Sequence, residues 1–353
     1  MFFTSKCNNQ KLLRKMCHLV SIHKKKFFLI FILFIIGCST STTKKSKDID
    51  VRVGFEGLKL EFLKNTPPQK IFEKETFPVI IKIGNKGAFS LKDNDKAILS
   101  LGVERDYTEN VQLLAGRRVQ KVNGNAATFN LEGKSVINQK GEEELVSYNV
   151  KAGQVDPQSE FHSSTVIATL CYPYQTELDA TVCIDTDISG IRPGKKVCKL
   201  QDIVFNNGQG GPVAVTKIEV QMLPTQESQS QEGYGRIKPQ FLIFVENKGQ
   251  GTVIRKESVN EFCTQSGTTH KNINIVYVDA SLSGQKLKCQ LEATEGTSLP
   301  GHIKLKDKKD IIWCSKEDGI PAQDTYLTPL RIVLTYGYTQ SISTNYLIQK
   351  ATI

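Results

Sequence analysis

Six cysteines, Cys171, Cys183, Cys198, Cys263, Cys289 and Cys314, carry the most legible chemistry in this chain of 353 residues. A thiolate can hold zinc, attack a substrate or close a disulfide. Zinc ribbons and thioredoxin-type centres use Cys-x-x-Cys spacing, and no pair here has it. An even number in an exported chain points to disulfides, with the pairing left open. Cys171 and Cys183 flank a polar stretch that reads as a turn, which makes them one candidate pair. Other motifs fall short. Gly133-Lys134-Ser135 ends like a phosphate loop, but Thr128 stands where its first glycine belongs, so the backbone cradle is missing. Asp185-x-Asp187-x-Ser189-Gly190 opens like a calcium loop, yet its last position, where a bidentate Glu is required, is Lys196. His162, His270 and His302 belong to no His-Glu-x-x-His motif, and no Gly-x-Ser-x-Gly occurs. The expectation is a protein without catalytic residues, metal site or cofactor.

The elements that would position these residues come in two copies. "VGFEGLKLEF" (53–62) aligns with "VAVTKIEVQM" (213–222), an offset of 160. "VIIKIGNKG" (79–87) aligns with "FLIFVENKG" (241–249), an offset of 162, with Asn-Lys-Gly identical. "LCYPYQTELDATVCI" (170–184) aligns with "LTYGYTQSISTNYLI" (334–348), an offset of 164, with Tyr172 on Tyr336 and Tyr174 on Tyr338. Three matches in one order indicate a repeated module. In the first stretch Leu58, Leu60 and Phe62 alternate with Lys59 and Glu61, the second is an aliphatic run ending in Asn-x-Gly, and both read as strands; the third reads as a hairpin in both copies. The Asn-x-Gly turns are expected to need positive φ. Further short strands are expected at 97–103, 127–131, 144–151, 164–174, 275–280, 285–291, 310–314 and 328–336, and some helix at 109–118. Many short strands divided by turn residues argue for β-sandwiches. The tyrosine pairs and Trp313 read as core. The resulting plan is all-β: a signal or anchor segment (1–37), a tether (38–50), a first sandwich (51–184), a linker (185–199) and a second sandwich (200–353), standing in series.

The net charge of +10 does not describe the folded part. Seven of those positive charges fall in residues 1–26, which hold no acid, so +3 remains for the rest. A nucleic-acid partner would need a basic face on the folded domain and is not expected. Nor does any Asn-x-Ser/Thr acceptor for N-glycans occur.

Lys24, Lys25 and Lys26 precede an apolar run, 27–37, too short to span a bilayer and of the length of a signal-peptide core. It ends in Ile35-Ile36-Gly37-Cys38, which resembles the lipobox of bacterial and archaeal lipoproteins. That resemblance implies lipidation of Cys38 after cleavage; an uncleaved anchor is the competing reading. The stretches "FPVIIKIGNKGAFSL" and "QFLIFVENKGQGTVI" resemble immunoglobulin-like surface modules of the adhesion type. Anchor and modules together resemble membrane-anchored surface lipoproteins of small-genome archaea. The resemblance implies a β-sandwich, a place at the extracytoplasmic face of the cell membrane, and no catalytic residues. The expected function is binding or adhesion to a surface protein or glycan. The loops "NNGQGG" (206–211) and "TQESQSQEGYG" (225–235) are the expected contact loops. The alternative is a structural part that braces a cell-envelope or secretion assembly.

Overall fold

Alternating apolar residues dictate extended chain, and a computed structural model of the protein is built from it. It describes residues 50–114, 118–122, 124–188, 190, 195–225, 236–264, 270–290, 301–321 and 325–351, apart from the side chain of His270. Cys38, the anchor and the expected contact loop at 226–235 lie outside these residues. Asp50–Ile353 forms one compact unit.

The first seven principal strands are β1 (Leu58–Phe62), β2 (Thr76–Asn85), β3 (Ala97–Val103), β4 (Thr108–Leu114), β5 (Ala126–Phe129), β6 (Glu143–Ala152) and β7 (Phe161–Ile184). The next seven are β8 (Val213–Pro224), β9 (Arg236–Asn247), β10 (Ile275–Leu282), β11 (Lys288–Gln290), β12 (His302–Lys304), β13 (Lys309–Ser315) and β14 (Tyr326–Gln349). A short helix, α1 (Val259–Thr264), lies between β9 and β10. Every neighbour relation of the first set recurs in the second. β1-β2-β6-β4 form one sheet, and β8-β9-β13-β11 run in the same order in another. β7-β3-β5 is matched by β14-β10-β12, antiparallel throughout.

The two sets meet in a third sheet. β7 and β14 pair antiparallel over all 24 residues, Phe161 opposite Gln349 and Ile184 opposite Tyr326. At about 3.3 Å per residue the ribbon is about 80 Å long. An immunoglobulin sandwich places A-B-E-D in one sheet and G-F-C in the other. With β1, β2, β3, β4, β6 and β7 as A to F, each half shows A-B-E-D and F-C. The place of G beside F is taken by the other half's F.

The core follows from this pleating. Val79, Ile81, Ile83, Val146 and Val150 face Leu99, Leu101, Val166 and Leu170 in the first half. Phe241, Ile243 and Val245 face Leu330, Ile332 and Leu334 in the second, within the same continuous cluster. Each such side chain contributes about 1.5–3 kcal/mol by leaving water.

Four expectations are corrected. The stretches 170–184 and 334–348 are not hairpins but parts of single strands. Gln175, Glu177 and Asp179 fall on the outward face, Thr176, Leu178 and Ala180 point inward, and period two runs on through the polar stretch. The halves are not independent sandwiches: β3 lies along residues 166–171 of β7 and β10 along residues 330–335 of β14, at opposite ends of one shared ribbon, so each half takes part of the other's long strand into its sheet. Residues 108–114 are strand, held against β6, so tertiary pairing decides over local helix preference there. Finally, Leu58 pairs with Asn85 as Val213 pairs with Asn247. Leu58 is thus the counterpart of Val213, and the first alignment above is five residues out of register. Glycine and alternating residues allow that slip; hydrogen bonds do not.

Candidate binding site

The waist of the molecule is a set of four buried tyrosines. Tyr172 lies opposite Tyr338 and Tyr174 opposite Tyr336, with ring centroids 5.7 and 6.0 Å apart. Each hydroxyl accepts a backbone N–H that the turns would otherwise leave unpaired. Tyr172 accepts from Leu58 at 3.2 Å and Tyr336 from Val213 at 3.3 Å. Tyr174 accepts from Phe89 at 3.3 Å and Tyr338 from Gly251 at 2.7 Å. Burial, reinforced by neighbouring phenols, pushes Tyr172 well above the ordinary phenol value, and burial takes Tyr338 up to about 12. The tyrosines are core, as expected.

The Asn-Lys-Gly turns sit against them with the same bonds twice. Asn85 Nδ2 donates to Phe89 O at 2.7 Å, and Asn247 Nδ2 to Gly251 O at 3.0 Å. The N–H groups of Gly87 and Gly249 donate to the respective Asn Oδ1. Positive φ is not the reason for these glycines, since neither has it. A Cβ on Gly87 would meet the Tyr174 hydroxyl, and one on Gly249 the Tyr338 hydroxyl. Close approach selects glycine here.

The six cysteines form three bonds: Cys171–Cys263, Cys183–Cys198 and Cys289–Cys314. The Cys171–Cys183 pairing is excluded, because the two lie far apart on one extended strand. Cys171–Cys263 ties β7 of the first half to α1 of the second across 92 residues.

A cluster of charged and amide groups gathers around a cleft in the β7 region. A cleft of about 430 Å³ lies among Asp50–Val53, the β7 segment 177–179 and the connecting segment 204–209. Arg52 reaches Glu177 at 3.0 Å and Asp179 at 2.9 Å, and Arg331 on β14 holds the same Glu177 at 2.9 Å. Both carboxylates are thereby fixed in direction, while the exposed Asn206 and Asn207 line the opposite wall. The volume is in the range of small-ligand sites. The network can orient hydroxyl, amide or cationic groups of a partner. Sequence reasoning missed it, because its partners stand 127 and 154 residues apart. A signal was present: at the repeat offset, Glu177 and Asp179 replace Ser341 and Ser343.

Other candidate residues have structural partners. Lys196 Nζ lies 2.6 Å from Asp185 Oδ2 and donates to Asp187 O at 2.9 Å, so the would-be calcium loop holds its own ammonium. Burial pushes the Asp185 carboxyl up, but Lys196 and the N–H of Asp187 outweigh it, and the net shift is down. Among the described residues no cluster of three His, Cys, Asp or Glu could hold a metal. Gly133 N–H donates to Ser90 Oγ and Lys134 N–H to Gly87 O, which makes that stretch a structural turn. His162 pairs with Glu104 at 2.8 Å under the ring of Tyr107, and His302 packs near Tyr277.

Two expectations about surfaces fail. Of the loop 206–211 only Asn206 and Asn207 are exposed; its second half is structural. Gln209, Gly210 and Gly211 are buried, Gln209 bonds both backbone groups of Val215, and Gly210 N–H donates to Gly54 O. Trp313 is not core: it is 38% exposed on the outward face of β13, beside Ile311 at 45%. Its neighbours Ile312 and Cys314 take the inward places, because the pleat alternates.

No family model and no curated protein matches the chain. Among solved structures it is similar to a partial N-terminal region of the enterococcal surface protein, at 10% identity over 80% of this chain and 84% of that one, with TM-score 0.19. It is also similar to the C-terminal domain of the Streptococcus pyogenes antigen I/II-family protein AspA, at 9% identity over 84% and 98%, with TM-score 0.17. A third is the collagen-binding domain of the Erysipelothrix rhusiopathiae surface protein RspB, at 12% identity over 86% and 91%, with TM-score 0.11. Likeness at these TM-scores carries no inference about this chain.

Proposed function

We propose that the protein is an exported, membrane-anchored surface protein that acts by binding and not by catalysis. The observation that carries the reading is the cleft in the β7 region. Its carboxylates, on β7, are held by Arg331 on β14 and by Arg52 from the segment that precedes β1. A preformed, stiff polar cleft loses little freedom when a partner enters. Three disulfides fit export to an oxidising compartment. Cys38 supplies the lipid anchor, and the tether to Asp50 spans about 20 Å as a flexible chain. Boundaries at 51–184 and 200–353 remain the natural division into repeats, though neither repeat is complete without the other's long strand.

The test is capture from intact cells with the full chain. Recovery of a glycan or a foreign surface protein that falls about tenfold in Asp179→Asn supports the reading. Capture unchanged by that substitution counts against the cleft. A bracing role has one observation in its favour. Leu242, Phe244, Ile311 and Trp313 lie side by side on the outer face of β9 and β13, with Lys217 Nζ 5.6 Å from the Phe244 ring. A single envelope protein, recovered in fixed ratio and lost in Trp313→Ser, would favour bracing.

A further inference from the structure

Because the two halves repeat each other strand for strand, a face that differs between them is informative. On the outward face of the first half, Ile80 lies opposite Ser147 and Lys82 opposite Leu145. At the matching places of the second half, Leu242 lies opposite Trp313 and Phe244 opposite Ile311. Phe244 and Trp313 thus stand where the first half has Lys82 and Ser147, and a mixed surface has become an apolar one. Ile311 and Trp313 are 45 and 38% exposed.

The charge reverses at one end of the same face. The N–H of Asn85 donates to Glu142 O and that of Asn247 to Lys308 O, so Lys308 and Lys309 correspond to Glu142 and Glu143. The first half pairs its acids, Glu142 with Arg118 and Glu143 with Lys82 and Lys86. In the second half Lys309 continues the outward row of Ile311 and Trp313. Lys306 stands directly opposite Lys309, each N–H donating to the other's carbonyl at 3.0 Å. Lys304, two residues before Lys306, has the same parity. Lys306, Lys308 and Lys309 are exposed, and among the described residues none of them has an acid partner. Glu246, the acid opposite Lys309, is held by Lys248 at 2.8 Å. Like charges facing each other across a hairpin weaken it. Lysines kept there despite that repulsion call for an anion from outside the chain.

We propose that the outer face of β9 and β13, with the hairpin that joins β12 to β13, rests on a membrane surface of anionic lipid. The apolar side chains around Trp313 reach the boundary between headgroups and acyl chains, and the lysines beside them meet lipid phosphates. A tryptophan with aliphatic neighbours and a basic row at its edge matches both layers of such an interface. Lysine suits it further. Its ammonium is a point charge that any passing phosphate satisfies, whereas a folded partner with fixed carboxylates favours the planar fork of arginine. The inference rests on the anchor reading, because a tether of about 20 Å keeps the folded part within reach of the bilayer. It adds which face of the molecule the bilayer meets.

Trp313 is the single tryptophan of the chain, so tryptophan fluorescence reports this face alone. The probe is the full chain mixed with vesicles of phosphatidylglycerol and phosphatidylcholine in equal parts, or of phosphatidylcholine alone, with brominated acyl chains as the quencher. In the anionic vesicles the emission should shift to the blue and be quenched about twofold or more; phosphatidylcholine alone should do neither. Lys308→Glu with Lys309→Glu gives the second half the residues that the first half carries, so the melting temperature should hold. That variant should need about tenfold more anionic lipid for the same response. A chain that sediments with the anionic vesicles while its emission stays unchanged overturns the face and leaves the anchor reading standing. A fluorescence response without lipid labelling at Cys38 supports the face and refutes the anchor. An equal response in both kinds of vesicle, or in the charge-reversed variant, overturns the proposal. So does a Trp313 already shielded from acrylamide before lipid is added, since a second copy or another part of the chain would then cover the face. An envelope protein whose capture is lost in Trp313→Ser, with no response to vesicles, gives the face to a protein instead.

Discussion

The four waist tyrosines each combine a ring that belongs in the core with a hydroxyl that a turn requires. Tyr174→Phe would leave the N–H of Phe89 without its partner and remove one of the two donors to the carbonyl of Gly210, which keeps the Ala88 N–H. The expected loss is about 1–3 kcal/mol in denaturant unfolding, with the fold retained. The phenols also set an alkaline limit. Their folded pKa values are raised by burial, with Tyr338 at about 12. The folded state therefore holds these protons more tightly than the unfolded chain. Their contribution is intact below the unfolded value near pH 10 and is lost as pH rises from about 10 through about 12. Tyrosinate absorbance and unfolding followed together should move as one above pH 10, and four ordinary phenol titrations without unfolding would contradict the burial. The Asp185–Lys196 pair has the opposite sign. The carboxyl is depressed, so its contribution is present above the unfolded value and lost as pH falls towards acid. Lys196→Met should cost about 1–3 kcal/mol near neutrality and less in acid.

At the scale of elements, the fused ribbon makes a strong demand. Residues 50–198 produced alone would present β7 with the whole edge that β14 normally covers. The expectation is a dimer through β7 or an aggregate, read by light scattering; a stable monomer with a cooperative melt would contradict the ribbon. The strands themselves were legible. Residues 97–103 and 275–280 are short apolar runs between turn residues and match β3 and β10 in type and nearly in bounds. The repeat was legible too, because Asn-Lys-Gly and Tyr-x-Tyr serve one hydrogen-bonded turn that each half must build. What could not be read is which strand neighbours which. "QTELD" is polar enough to read as the turn of a hairpin, yet its outward positions happen to be the charged ones. Extended pairing with a strand more than 150 residues away outweighs the local signal. The same long range hides Arg52, Glu177 and Arg331 from each other. Trp313 was misread because a sheet with one solvated face gives no sign of which parity is buried when apolar residues run consecutively, as in Ile311-Ile312-Trp313-Cys314.

For the whole molecule, export, disulfides and the halves joined along one ribbon form one account. Cys38→Ser should release the protein from the membrane or block its processing, read by fractionation and lipid-precursor labelling; unchanged retention and labelling would refute the lipid anchor. Breaking Cys171–Cys263 by serine substitution should cost about 2–4 kcal/mol, since it closes a long loop and clamps α1 onto β7. The central claim is that an oxidising compartment receives two repeats joined along β7 and β14. Disulfide mapping by mass spectrometry, on unreduced and alkylated protein from its own cells, tests it most directly. The account predicts no alkylated thiol among the six and a peptide bearing Cys171 linked to one bearing Cys263. Six alkylated thiols, or a Cys171–Cys183 link, would contradict it.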